Sequence, residues 1–230
     1  MKRLENRWAL VTGASRGVGR QIARGLFEEG ARLIIHSRTQ RSIQPAAAEL
    51  KEMGAEVYTV TGDLSDPAAV EAMVDGAFAI SPVIDILYNN AAVQTGLTGE
   101  FDASSSDYRK SFEVNTIAPI RICNRIIPGM IERGYGRVVN LTSGIKDQPG
   151  LLPYAVSKAA LDKYVRDLAP AVAGTGVYVN LLDPGWVRTD LGSDRAPNPV
   201  ESVLPGVLIP ALLEEEVQGR FYAAQDYRPR

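Results

Sequence analysis

Short runs rich in β-branched residues alternate with longer stretches of helical period along this chain, and that alternation restricts the fold more than any single residue does. Strand-like segments fall at Trp8–Thr12, Leu33–His36, Val57–Val60, Ile84–Asn89, Arg137–Thr142, Val177–Leu182 and Arg220–Ala223. Between them, Gly17–Glu29 carries Val18, Ile22, Leu26 and Phe27 on one side, and Pro67–Ala79 carries Val70, Met73, Val74 and Phe78. Faces of this kind pack on a sheet. The pattern predicts right-handed βαβ units in the α/β class: a doubly wound parallel sheet of about seven strands with helices on both faces. With 230 residues, 45% of them apolar, the chain can bury one sizeable core, so a single domain over residues 1–230 is expected. No repeat or linker interrupts it. The one loop-rich stretch, Asp183–Pro205, comes late, where a lid over a site is plausible.

Composition removes several function classes. A net charge of −2 gives no basic stripe for nucleic acid and no pull toward anionic membranes, which leaves small molecules as the expected partners. No apolar run reaches the roughly 18 residues of a membrane span. A single cysteine, Cys123, cannot form an intrachain disulfide, and the first residues lead into a strand without a signal-peptide core. A cytoplasmic location is the default expectation. One histidine, His36, is too few for most metal sites or for Ser-His chemistry, so no metal is expected.

The first strand runs into Thr12-Gly-Ala-Ser-Arg-Gly-Val-Gly19 and then into a helix. A strand, a glycine turn and a helix N-terminus together surround a pyrophosphate with backbone N–H groups. The glycines are spaced Gly-x-x-x-Gly-x-Gly (Gly13, Gly17, Gly19), which departs from the general dinucleotide fingerprint, and such a turn could also be a simple chain reversal. Its position between strand and helix favours a cofactor. The second strand ends in His36-Ser-Arg-Thr, with no acid to bond the ribose hydroxyls of NAD. Arg38 and Arg16 would instead neutralise a 2′-phosphate, so NADP(H) is preferred and NAD(H) remains possible.

Tyr154 and Lys158 stand four residues apart in a helical stretch and share one face. An ammonium beside a phenol favours the phenolate, so Tyr154 is expected to have a lowered pKa and to act as a general acid/base. The spacing alone also fits two solvated neighbours on an exposed helix.

Taken together, these motifs resemble the short-chain dehydrogenase/reductase family from about residue 7 to residue 190. The glycine turn looks like its cofactor turn, Asp63-Leu64 like the pair that meets the adenine, and Asn89-Asn-Ala-Ala like its Asn-Asn-Ala-Gly strand end. Asn115, Ser143, Tyr154 and Lys158 match its catalytic positions, and Pro184-Gly-Trp-Val-Arg-Thr189 resembles its nicotinamide segment. The resemblance implies a Rossmann-like fold and a nicotinamide cofactor held by Gly13, Ser15, Arg16, Gly17, Val18, Gly19, Ser37, Arg38, Asp63, Leu64, Asn90, Ala91, Pro184, Gly185, Val187 and Thr189, with Tyr154 and Lys158 also touching it. It implies that Tyr154 is the acid/base, that Lys158 depresses its pKa and binds ribose hydroxyls, that Ser143 polarises the carbonyl, and that Asn115 holds a water behind the lysine. Read without the resemblance, Asp63 could serve the helix that starts near Pro67, although Ser65 or Asp66 is the better cap.

The chain departs from the family pattern at Ala92, which replaces the last glycine of Asn-Asn-Ala-Gly, at the short connection Gly144–Pro153, and at its end, which lacks Asp-Gly-Gly. The residues expected to face substrate are Gln94, Ser143, Ile145, Leu151 and Trp186, with Gln148, Leu152 and the loop 190–200 nearby. This wall suits an uncharged ketone or aldehyde, although the apolar members are equally natural as packing residues. Three functions are compatible with the chain: NADPH-dependent reduction of a small carbonyl, NAD(P)-dependent oxidation of a sugar, polyol or steroid alcohol, and nucleotide sensing without turnover. The resemblance also implies a homodimer or homotetramer built on helices over about 104–133 and 153–174.

Overall fold

The structure is a computed structural model that describes residues 2–95, 102–145 and 148–228. Seven strands, β1 (Trp8–Val11), β2 (Arg32–Ser37), β3 (Val57–Thr61), β4 (Ile86–Asn89), β5 (Gly136–Leu141), β6 (Val177–Asp183) and β7 (Phe221–Ala223), form one parallel sheet in the order β3-β2-β1-β4-β5-β6-β7. Both faces of such a sheet are covered, and β4 and β5 are buried at every position, Arg137 and Asn140 of β5 included. Helices α1 (Gly17–Glu28) and α2 (Gln40–Glu52) pack on one face, and α3 (Pro67–Ile80), α5 (Ala118–Glu132) and α6 (Leu152–Val172) on the other, with α4 (Ser105–Phe112) against α6. The doubly wound sheet, the seven strands and the single domain are those expected from the sequence.

Local chemistry sets the helix boundaries. Asp66 caps α3 by accepting from the Ala68 amide, and Pro67 follows in the first turn, where its missing N–H has no cost. Ser104 and Asp107 form a reciprocal capping box at the start of α4.

Two features depart from the expected pattern. The helix expected over about 104–133 is broken by a π-helical turn, Glu113–Ile117, in which the amide of Ala118 reaches back five residues to the carbonyl of Glu113. Pro119 supplies a reason, because an α-turn would require the amide of residue 119 at the carbonyl of Asn115, and proline has none. The second departure is the crossover from β6 to β7. Between residues 184 and 220 its only helical pieces are 3₁₀ turns at Val200–Val203 and Gly206–Ala211, where Pro199, Pro205 and Pro210 each withhold an amide from any α-helical ladder.

The Gly206–Ala211 turn nonetheless occupies a helix's place on the sheet face that carries α1. Tyr88, fully buried on β4, fastens it by donating to the Val207 carbonyl at 2.7 Å. Tyr88→Phe is expected to cost about 1–2 kcal/mol, because it leaves that buried carbonyl without its donor while preserving the packing. Urea unfolding read by circular dichroism checks this, with an unchanged midpoint as the contrary outcome.

Candidate active site

The strand order reverses between β1 and β4, and in an open parallel sheet a crevice forms outside the carboxyl ends at such a point. A cleft of about 670 Å³ lies there. Its floor is a knot of hydrogen bonds between the ends of the two strands. The Thr12 hydroxyl accepts from the amides of Asn90 (3.0 Å) and Ala91 (3.1 Å) and donates to the Tyr88 carbonyl at 3.2 Å. Asn90 returns the contact, its Nδ2 donating to the carbonyls of Thr12 (2.8 Å) and Gly13 (3.1 Å).

That knot determines the glycines. Gly13 has φ +66°, and a Cβ there would lie 2.8 Å from Ala91 Cα. A Cβ on Gly19 would run into Asn90 Nδ2 and the Gly13 carbonyl. Two of the three glycines are therefore needed so that the turn can dock on the end of β4, and together with Gly17 (φ +59°) they leave backbone exposed at the start of α1.

His36 braces the turn from the other side, a role that sequence reading did not assign. It is buried at the end of β2, its Nδ1 accepts from the Gly13 amide at 3.3 Å, and its Nε2 lies 3.0 Å from the Gly62 carbonyl. Only the neutral Nε2–H tautomer satisfies both contacts. Burial lowers the pKa of the imidazole, outweighing the Gly62 carbonyl and Asp63, which favour the charged form.

Of the residues expected to hold cofactor, Gly13, Ser15, Arg16, Gly17, Val18, Gly19, Ser37, Arg38, Asp63, Leu64, Asn90, Ala91, Pro184 and Thr189 all line the cleft, as do Tyr154 and Lys158. Gly185 and Val187 lie behind the lining, Gly185 as a turn at φ +77° and Val187 buried in a bridge to Asn198. Asp63 is not the cap of α3. Its Oδ1 accepts from the amide and hydroxyl of Ser65, which lowers its pKa. Arg16 does not stand alone, because its Nε pairs with Asp190 Oδ2 at 3.0 Å across the cleft mouth. Lys110, Arg188 and Asp190 also line the cleft; Arg188 lies within the nicotinamide motif and Asp190 opens the loop expected near the substrate, whereas no sequence motif marked Lys110.

At the opposite end, α6 lies against the last residues of β5. Lys158 Nζ, 3% exposed, donates to the Leu141 carbonyl at 2.6 Å. The next residue, Thr142, donates its hydroxyl to Asp162 on α6, and Ser143 lies within hydrogen-bonding influence of the buried Tyr154 phenol. Contrary to the expectation of a lowered value, burial pushes Tyr154 up to about 12, with the Ser143 hydroxyl opposing the rise and Asp183 adding to it. The geometry explains the difference: the Lys158 ammonium is turned to the Leu141 carbonyl and stands 5.9 Å from the tyrosine ring centroid. Burial in turn brings Lys158 down to about 8.

Asn115 is fully buried in the π-turn and does not line the cleft. Its side chain clasps Val93 through both amide and carbonyl (2.8 and 2.9 Å) and donates to the Ser157 hydroxyl at 2.9 Å. Pro119, four residues on, has no amide to offer its main-chain carbonyl. Among the residues expected at the substrate, Gln94 lines the cleft, whereas Ser143, Ile145, Leu151 and Trp186 lie outside the lining. Trp186 is 57% exposed, with its indole N–H on the Gly192 carbonyl at 2.6 Å. The loop is tied to itself by this bond and by Arg188, whose Nη1 reaches the carbonyls of Ala196 and Pro197.

A glycine turn at the switch point and a Tyr-x-x-x-Lys helix at the far end of one cleft have a counterpart among known proteins: the family model described as short chain dehydrogenase matches residues 7–199. The chain belongs to the short-chain dehydrogenase/reductase family. It is 36% identical over 211 residues to the oxidoreductase UcpA of Salmonella typhimurium, covering 89% of this chain and 80% of that protein. A 3-oxoacyl (acyl-carrier-protein) reductase from Agrobacterium tumefaciens, solved with NADP bound, superposes with TM-score 0.86 at 28% identity, covering 96% of this chain and 93% of the other. A gluconate 5-dehydrogenase from Burkholderia cenocepacia, solved with NADP and tartrate, gives TM-score 0.84 at 26% identity, covering 96% and 94%. This short-chain dehydrogenase is thus an oxidoreductase. Among the described residues, none of its helices is long and apolar enough to cross a membrane.

The His36 brace has a pH signature. Its folded pKa lies below the unfolded value of about 6.5, so the folded chain resists a proton that the unfolded chain accepts. Its contribution is complete above about pH 6.5 and declines as the pH falls toward the folded pKa. His36→Gln is expected to flatten the slope of unfolding free energy against pH between about 5 and 6.5, measured by urea titration at each pH. Parallel slopes for the two proteins would show that the imidazole does not carry it.

Proposed function

We propose that this short-chain dehydrogenase is an NADPH-dependent carbonyl reductase that converts a small ketone or aldehyde to an alcohol, with Tyr154 as the proton donor. The observation that carries the reading is the single cleft that joins the glycine turn and Arg38 at one end to Tyr154 and Lys158 at the other. The cleft's volume lies within the usual range for ligand sites. The glycine turn, docked on the end of β4, leaves backbone at the start of α1 exposed along the cleft, so the residues present fit a dinucleotide. When bound, the nicotinamide would supply the hydride.

The residue roles follow from position. Ser15 to Gly19 would offer backbone amides and the α1 N-terminus to the phosphates, while Arg16, Ser37 and Arg38 would meet a 2′-phosphate. Asp63 and Leu64 would face the adenine, Asn90 and Ala91 the middle of the cofactor, and Pro184, Gly185, Val187 and Thr189 the carboxamide. Lys158 would bond the ribose hydroxyls. Tyr154, held protonated by burial, starts in the state from which a proton can be given to a carbonyl oxygen as charge develops there, and Ser143 would aim a second donor at that oxygen. The Asn115 carbonyl would hold a water to resupply the proton. Gln94, Ile145, Leu151 and Trp186 would form the substrate wall; Ile145, Trp186 and Leu152 are among the exposed large apolar residues, which favours an apolar substrate.

The gluconate 5-dehydrogenase neighbour favours a second reading, oxidation of a sugar or polyol alcohol by the same residues with the proton flow reversed. An assay that follows the nicotinamide absorbance, run with aromatic ketones and NADPH and then with polyols and NADP⁺, separates the two. The protein would work as a cytoplasmic homodimer or homotetramer, with α4, α5 and α6 as the subunit contacts.

Tyr154→Phe is expected to reduce turnover by at least a hundredfold while leaving NADPH affinity within about twofold, because it removes the proton donor and little else. Retention of most activity would refute the assignment. Asp190 generates a second expectation, since it competes for Arg16 with any 2′-phosphate. Asp190→Ala should tighten NADPH binding about two- to fivefold, the range of an exposed ion pair, and leave NADH unchanged in fluorescence titrations. Equal effects on both cofactors would remove Arg16 from the phosphate site.

A further inference from the structure

Three residues of α6 spaced at i, i+4 and i+8, namely Tyr154, Lys158 and Asp162, meet successive residues at the end of β5. Ser143 acts on Tyr154, the Leu141 carbonyl takes Lys158, and Thr142 takes Asp162. The first two belong to the reading above and the third does not. Asp162 does not line the cleft, so neither substrate nor cofactor reaches it. It is half-buried, anchored by the Thr142 hydroxyl, and sits one helical turn beyond an ammonium that is almost completely buried.

We infer that Asp162 is a positioning residue that keeps Lys158 charged inside the site, with Thr142 as the tether that fixes the carboxylate one turn below the lysine. This rests on the assignment of Lys158 to the cofactor and proton machinery. A buried ammonium loses hydration that a single carbonyl bond replaces only in part, so it holds its proton only with help from a nearby negative charge. The charged and titratable groups around it are few. From α6 come Tyr154, Asp162 and, a turn further on, Arg166; from β6 comes Asp183; Lys110 of α4 lines the same cleft. Burial lowers Lys158, and Asp162 is the group that opposes this, acting through space. Asp183 is oriented differently, with its carboxylate accepting from the Gly185 amide at 2.9 Å and from the Gly144 amide, and its effect falls on Tyr154 and Asp162. Arg166 and Lys158 both favour the ionised form of Asp162.

A carboxylate that served only to tie α6 to β5 could be replaced by its amide, because the amide oxygen can still accept from Thr142. Charge separates the two roles. In the full-length chain with NADPH bound, the Lys158 ammonium can be titrated by NMR after ¹⁵N-lysine labelling and assigned by the loss of its signal in Lys158→Arg. The titration midpoint is expected to fall by about one pH unit in Asp162→Asn, the effect of removing one charge a helical turn away, and to stay near the wild-type value in Asp162→Glu. The alkaline limb of kcat/KM should move down by the same amount. An unchanged midpoint in Asp162→Asn overturns the inference even if that variant is less stable. If Asp162→Asn does not fold, Thr142→Val, which retains the carboxylate and releases its tether, should also lower the midpoint, and no movement there overturns it equally. The midpoint needs no substrate, so a wild-type chain with no turnover would reject the carbonyl-reductase reading while this inference was still decided by the titration.

Discussion

The site depends on how α6 seats on the end of β5. Parallel strands deliver all their carboxyl ends to one edge, so whatever follows β5 emerges beside whatever follows β1 and β4. The Lys158 bond to the Leu141 carbonyl uses an acceptor at the end of β5, on the side that faces β4. A buried cation on a strand terminus costs desolvation, and its offset comes from the carbonyl and the carboxylate one turn away. Because the contact is made by a side chain of α6, it also sets the height and rotation of that helix. Tyr154 is thereby placed at the cleft by the same bond that buries the lysine.

An equivalent constraint acts at the other end. Thr12 and Asn90 bind the ends of β1 and β4 so closely that Gly13 and Gly19 have no room for a side chain. Here glycine is required by the approach of two strand ends, and the backbone it leaves exposed at the start of α1 is then available to a ligand. His36 closes the arrangement by bonding to Gly13 from β2 and to Gly62 beyond the end of β3. Three adjacent strands therefore hold one turn, which gives this end of the cleft a rigidity that its surface loops would not supply.

The strands were legible because a two-faced buried sheet demands apolar runs, and the structure starts and ends them within about two residues of the expected positions. The glycine turn and the Tyr-Lys pair were legible because each is local, with its partners within eight residues. What escaped is non-local. The His36 brace joins residues 23 and 26 positions apart, the Arg16 pair joins two loops far apart in the chain, and the coupling of Thr142 to Asp162 crosses from strand to helix. Tyr154 itself shows the limit: spacing placed an ammonium near the phenol, but burial and the direction of the Lys158 side chain were fixed by tertiary contacts, and they reverse the direction of the pKa shift. The π-turn differs from these, because its signal, a proline four residues after Asn115, was present in the sequence.

The crossover between β6 and β7 carries the argument to substrate selection. A parallel connection is usually helical because a helix satisfies its own backbone while covering the sheet. Here proline prevents that solution, and the chain uses side chains and short turns: Tyr88 on the Val207 carbonyl, Gln225 on the Pro184 carbonyl, Arg137 on the Leu213 carbonyl. Each of these bonds anchors the crossover to the sheet side or to the chain beyond β7, and the first half of the segment, from Trp186 to Asn198, is bonded mainly to itself. That stretch is therefore linked to the domain through its ends, through Val187 in the core and through Arg16. Variation in that self-bonded stretch would alter the border of the cleft, which Arg188 to Leu191 help to line, with little effect on the sheet, whereas variation at Tyr88 or Gln225 would disturb the sheet first. The border of the cleft and the cover of the sheet thus fall to different halves of one crossover, which leaves the border as the part of this oxidoreductase most open to change.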